Sequence, residues 1–384
     1  MKKQSWLSIQ FFSFFFTWGV FVPYWTAWLV AGKQFSVYDA STLIAISFIV
    51  RSISTFFAFP YLSQKQSLLH LARGLSIITL LFFVFFWPFN GFFNMLVIIF
   101  LFSFFYPMMM PLTESAASLL MKKDGISYGK SRLWGSVGYT LALLVTGAMI
   151  SFFTESSIYF VMLTGCVLMM IGTFLPAPST IQKNESRADF SYRDLFFSKE
   201  FMLVLLVCIL IQGSHASYYN YGVLYLQELH VSGIAIGIIL NLAVLAEIVF
   251  FSKSDAFFLK VPISLLLLLA STGAILRWTL VYAYPDTLIF ICSQVLHAVT
   301  FGVAHYAFIR FISEKMDPKL ISSAQGIYAS IGMGLSTGLL SFLGGHLYAI
   351  SPGSAFLGMA VVTIPCFFLS IFLYVHYDKT KYIT

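Results

Sequence analysis

Charge is what this chain has least of: of 384 residues, 22 are Lys or Arg and 15 are Asp or Glu, 10% together. A soluble domain carries about 25% charged residues, so a soluble reading, α/β or otherwise, does not survive the composition. Cysteine is scarce too. The four thiols (Cys166, Cys208, Cys292, Cys366) all fall in apolar stretches, which argues against a disulfide framework or a metal motif and leaves them as small buried hydrophobes. Short segments of alternating polarity are missing, which excludes a β-barrel. No phosphate-binding loop occurs, so nucleotide-driven pumping is not expected. No His–Asp or metal-type cluster marks a membrane-embedded enzyme such as an acyltransferase. The chain is therefore expected not to be an enzyme and to need no cofactor or metal.

What is present in excess is apolar surface. Hydrophobic residues make up 59% of the chain and aromatic ones 18%, with 43 phenylalanines. About twenty apolar residues span a bilayer as a helix. The runs predict twelve such spans, near 6–32, 39–61, 67–88, 91–121, 129–153, 157–177, 200–227, 232–252, 261–284, 287–312, 321–349 and 353–376. The first run, from Trp6, is too long and too aromatic for a cleaved leader. The longest polar stretch begins at Pro178 and divides the chain nearly in half. The expected organisation is an N-terminal bundle over 1–177, a cytoplasmic linker over 178–199 and a C-terminal bundle over 200–384.

The net charge of +7 invites a nucleic-acid partner, but the placement of the charges speaks against one. Arg51, Arg132 and Arg277 lie inside spans. Of the other nineteen Lys and Arg, eighteen fall at the termini or in loops on one side, and only Lys33 falls on the other. Positive charge gathers on the cytoplasmic side, so both termini and the linker are expected in the cytoplasm.

The two halves resemble each other. Ser131-Arg132-Leu133-Trp134-Gly135-Ser136-Val137-Gly138 in span five matches Gln325-Gly326-Ile327-Tyr328-Ala329-Ser330-Ile331-Gly332 in span eleven. Trp28-Leu29 matches Tyr225-Leu226, and Arg51 falls within a residue of Glu247 at nearly the same offset. The expected fold is therefore an all-α membrane protein of twelve transmembrane helices in two pseudo-symmetric six-helix bundles. Repeated six-helix units with a site near the midplane are a transporter architecture. A channel is the other option, but buried paired charges favour a gated central site.

Five charges sit deep in the spans: Arg51, Glu114, Arg132, Glu247 and Arg277. A charge at mid-bilayer costs roughly 2.5–3.5 kcal/mol on insertion scales and tends to be paired along a pathway. Glu114 lies about eight residues above the loop 122–125, and Arg132 about seven above it on the next span, so the two fall at similar depth. The alternative is a plain ion pair joining two helices, which apolar residues would replace at no loss of stability. Pro107 and Pro111 precede Glu114 and predict an interrupted helix. The interior sum is three positive charges against two negative, which a monoanionic substrate would balance. Arginine's forked donors suit a carboxylate, and Arg51 is one candidate for it; it could instead neutralise Glu247 or Glu114. Tyr24, Trp25 and Trp28 in span one, and Tyr218, Tyr219, Tyr221 and Tyr225 in span seven, are either interfacial rings or a lining for a flat apolar substrate body. His215 is expected to line the cavity.

The segment from Tyr128 to Tyr139 resembles the fifth-helix motif of the lactose permease branch of the major facilitator superfamily. The eighteen-residue interval from Glu114 to Arg132 fits that branch, as do Gly19, Pro23, Trp28 and Leu29. The resemblance implies alternating access, with Glu114 and Arg132 gripping substrate and Tyr139 stacking on it. It implies proton coupling through Glu247, Arg277 and His297. Where that branch carries a proton-bearing glutamate, this chain has Thr300, which leaves Glu247 as the expected carrier, assisted by His297 or His305. The loop Ser63-Gln64-Lys65-Gln66-Ser67 departs from the superfamily's Gly- and Asp-containing motif and puts the usual cytoplasmic latch in doubt.

The expected activity is import of a small aromatic carboxylate, 3-phenylpropionate-like, with protons. A sugar or nucleoside symporter is the alternative. The expected setting is the bacterial inner membrane, with a small solute, protons and lipid as partners and the monomer as the working unit.

Overall fold

The computed structural model describes residues 3–182, 193–317 and 320–378. Twelve long helices run through them: α1 Lys3–Gly32, α2 Val37–Lys65, α3 Leu68–Val84, α4 Phe92–Asp124, α5 Tyr128–Phe152, α6 Ser157–Phe174, α7 Lys199–Glu228, α8 Gly233–Phe258, α9 Ile263–Ala283, α10 Thr287–Lys315, α11 Ser323–Ile350 and α12 Ser354–Asp378. Eleven are long and apolar enough to cross a membrane, and α3 is a shorter apolar helix. The chain is an all-α, multi-pass membrane protein.

The expected third span, 67–88, is too long. The helix stops at Val84 and the chain turns through Phe86 and Trp87, whose N–H groups bond back to the carbonyls of Phe83 and Val84. Pro88 follows and has no N–H with which to continue the ladder. Lys33 explains its exception to the charge asymmetry here. Its Nζ donates to the carbonyls of Trp87 and Phe89 at 2.7 and 3.0 Å and to Asn90 Oδ1 at 2.9 Å, tying the end of α1 to this turn. Residues 183–192 of the expected linker lie outside the described residues.

The helices are interrupted where their chemistry demands it. In α4 the prolines produce a 3₁₀ turn at Tyr106–Met108 between two α-helical segments. In α7 the α-helical ladder breaks at Ser214 and His215. In α10 the turn Ala298–Val303 is π-helical, a form that recurs at functional sites.

Contacts divide the chain into two units: Met1–Ala188 with Ser232–Ile238, and Asp189–Val231 with Ile239–Thr384. In the first, α1 and α5 approach closely because Gly138 has no side chain. A Cβ there would stand 2.4 Å from the carbonyl oxygen of Phe12. An aromatic core fills the space beside α1, where Trp25 stacks on Trp28 at 4.3 Å and Phe83 on Tyr159 at 4.9 Å. In the second unit, Tyr225, Phe290, Phe356 and Trp278 form the corresponding packed cluster. Cys166, Cys208 and Cys366 are buried as expected; Cys292 is exposed on α10 and corrects that reading. A thiol's weak polarity lets it face lipid as readily as core.

Candidate functional site

The charges within the spans fall in both units, with Arg51, Glu114 and Arg132 in the first and Glu247 and Arg277 in the second. In the first, the close approach of α5 to α1 sets Arg132 over the ring of Phe15, with its guanidinium carbon 4.1 Å from the ring centre and 5.6 Å from that of Phe11. Glu114 lies on the α4 segment that follows the proline break. Its Oε1 accepts a hydrogen bond from the Tyr128 hydroxyl at 3.1 Å and stands 3.9 Å from Arg132 Nε. The expected Glu114–Arg132 neighbourhood exists, but as a loose contact. Both side chains remain about one-third exposed, so each keeps hydrogen-bonding capacity for a further group.

Arg51 stands over the face of Trp18, 4.5 Å from the ring centre, and 5.8 Å from that of Phe48. Tyr139 packs across Gly19, where a Cβ would meet the tyrosine ring at 3.2 Å. Trp28 is placed elsewhere. It is 1% exposed, within the aromatic core, stacked against Trp25 and Tyr159. The helical period told which residues share a face with Trp28, not what that face meets.

The second unit holds a tighter network. Glu247 Oε1 lies 2.8 Å from His297 Nε2. Arg277 Nη1 lies 2.9 Å from His297 Nδ1 and donates to Thr300 Oγ1 at 3.1 Å. Thr300 Oγ1 in turn lies 2.9 Å from His215 Nε2. The broken turn of α7 supplies the remaining contact, since His215 Nδ1 lies 3.0 Å from the carbonyl of Ile211.

The proton positions follow from which atoms can only donate or only accept. Guanidinium only donates, so His297 Nδ1 accepts, and its Nε2–H donates to Glu247. A carbonyl only accepts, so His215 carries its hydrogen on Nδ1. The Thr300 oxygen accepts from Arg277, and its hydroxyl faces two acceptors, His215 Nε2 at 2.9 Å and the carbonyl of His297 at 3.4 Å. His297 is thus held by Arg277 with its hydrogen on Nε2, and His215 by the carbonyl of Ile211 with a hydrogen on Nδ1.

His215 belongs to this network rather than to an open lining, being 0% exposed. His305 stands apart from it. Its ring stacks on Phe301 at 6.1 Å and its Nδ1 meets the Tyr328 hydroxyl at 3.4 Å. Tyr221 is buried and donates to the carbonyl of Ser341, while Tyr225 donates to the carbonyl of Val281. Both therefore sit in packing. Phe15, Trp18 and Phe11 were not singled out from the sequence, although their place on α1, which also carries Gly19, was a usable signal. Thr300 was read only as a missing acid, and its bridging hydroxyl had no sequence signal.

The sequence profile of the MFS_1 like family matches residues 4–358. A protein named "Probable 3-phenylpropionic acid transporter" from Escherichia coli (strain K12) is 29% identical over 373 residues, covering 96% of this chain and 97% of that one. A maltose permease from Geobacillus stearothermophilus is 26% identical over 264 residues, or 66% of this chain and 65% of its own length. Among solved structures, that of the nucleoside transporter NupG superposes with a TM-score of 0.81 at 16% identity, covering 98% of this chain and 100% of that one.

Proposed function

The chain belongs to the MFS_1 like family and is a membrane transporter of that type, and from this premise we propose that it carries a small aromatic monocarboxylate, 3-phenylpropionate-like, together with protons by alternating access. The observation that carries the reading is the interior excess of arginine: Arg51, Arg132 and Arg277 against Glu114 and Glu247. A monoanion cancels that excess while Glu247 is ionised, whereas a neutral solute leaves it uncompensated in the membrane. The 29% identity to a protein named for 3-phenylpropionic acid supports the same substrate class.

In this reading Glu114, Arg132, Tyr139 and Arg51 contact substrate. Glu247, paired with His297 at 2.8 Å and watched over by Arg277, takes and releases the proton. Two bundles, 1–177 and 200–384, rock about the linker 178–199. The protein works as a monomer in the bacterial inner membrane with both termini in the cytoplasm. The second reading, a sugar symporter, draws on the maltose permease relative and on the Glu114–Tyr128 contact as a hydroxyl grip.

Uptake of labelled 3-phenylpropionate into proteoliposomes, with and without an inward proton gradient, tests the proposal. The expected result is accumulation that depends on the gradient. Uptake indifferent to the gradient sinks proton coupling. Uptake of maltose or a nucleoside in place of the acid sinks the substrate.

A further inference from the structure

Arg277 is the most deeply buried of the arginines in the spans, at 0% exposure. Among the described residues, all of its hydrogen bonds run through one nitrogen. Nη1 carries two hydrogens; one goes to His297 Nδ1 and the other to Thr300 Oγ1. Both partners are neutral. Nε and Nη2 have no hydrogen-bond partner among the described residues. A buried donor left unpaired is costly, and more so when it is charged.

The orphaned pair has a specific shape. Nε–H and one Nη–H point in parallel from the same edge of the guanidinium and match the two oxygens of a carboxylate. Rings flank the group, with Trp278 centred 4.3 Å and Tyr218 4.9 Å from the guanidinium carbon. Behind them stand Phe290 and Phe356. An anionic head and a flat apolar body are the two features this arrangement recognises. Arg132 offers a contrast, because the carboxylate of Glu114 stands 3.9 Å from its own Nε, whereas Glu247, whose charge also reaches Arg277, is held by His297.

We propose that the Nε and Nη2 edge of Arg277 is the receptor for the carboxylate of an aromatic acid substrate, with His297 and Thr300 acting as positioning residues that hold Nη1 and so aim that edge. This inference rests on the reading of the substrate as an organic acid. It gives Arg277 a role in binding beyond its place beside the proton carrier.

The test is calorimetric titration of the purified full chain with 3-phenylpropionate and with its neutral isostere 3-phenylpropionamide. The wild-type chain is expected to prefer the acid by at least tenfold. Arg277→Lys keeps the charge but loses the fork, and is expected to bring that preference close to unity. Thr300→Glu supplies an internal carboxylate beside the same guanidinium and is expected to weaken acid binding at least tenfold; this variant decides the matter alone if Arg277→Lys does not fold. Wild-type preference for the acid that survives intact in the variants overturns the inference and leaves the substrate reading standing. A wild-type chain with no preference for the acid overturns both.

Discussion

The two charge clusters use the same residue types and differ in tightness. In the first unit, Glu114 and Arg132 approach only to 3.9 Å and stay one-third exposed. In the second, Glu247, His297, Arg277, Thr300 and His215 are joined by contacts of 2.8–3.1 Å, and Arg277 is fully enclosed. A loose, wet pair adapts to a ligand at little cost. An enclosed network fixes His297 and Thr300 through Nη1 of Arg277 and leaves Nε and Nη2 without a hydrogen-bond partner among the described residues. The difference teaches that one glutamate and one arginine can form a loose pair or a network bridged by histidine and threonine.

The comparison breaks most visibly at the arginines. Arg277→Ala takes the donor from His297 Nδ1, a buried acceptor worth about 1–3 kcal/mol when left unpaired, and empties a fully enclosed site, while Thr300 keeps its contact with His215. Expected outcomes are loss of uptake and a drop of several degrees in the melting temperature of the purified protein. Arg132→Ala should abolish uptake as fully while the melting temperature hardly moves, since exposed pairs contribute about 0–1 kcal/mol. Equal melting shifts in the two variants would erase the distinction between the clusters. Glu247→Gln preserves the acceptor for His297 but cannot carry a negative charge. Gradient-driven accumulation should vanish in proteoliposomes while acid-for-acid exchange continues, and loss of both would place Glu247 in binding instead. The smallest effect is expected for Tyr128→Phe, which deletes one hydrogen bond worth about 0.5–1.5 kcal/mol. Apparent affinity for the acid should fall a few-fold at unchanged maximal rate; no change would mean that the Tyr128 hydroxyl plays no part in orienting Glu114 for substrate.

The fold was legible to within a few residues because apolar length alone marks a membrane helix. The expected ends overran α3, where aromatic residues continue into a turn, and α6, which stops at Phe174, and they fell short on α8, which runs on to Phe258. The Glu114–Arg132 neighbourhood was legible because a hairpin places residues at equal distances from one loop side by side. The second network was half legible. Glu247, Arg277 and His297 announced themselves as polar groups in apolar runs, but the bridge from His215 to Thr300 crosses 85 positions and depends on a broken helix. Trp28 and Tyr221 are buried in packing, which the sequence pattern does not show. Periodicity assigns a residue to a face, and only tertiary packing decides whether that face meets core or cavity.

The wide turn at Ala298–Val303 has a consequence for comparing this chain with its relatives. A turn closed by i→i+5 bonds holds one residue more than an α turn. A relative with an unbroken α-helix there should be one residue shorter, and its alignment gap belongs inside 298–303. An alignment forced through without that gap will match His297 or His305 correctly, but not both. Deleting one residue within the turn would rotate everything beyond it by about 100°, turning His305 away from Phe301 and Tyr328 while leaving His297 where it stands.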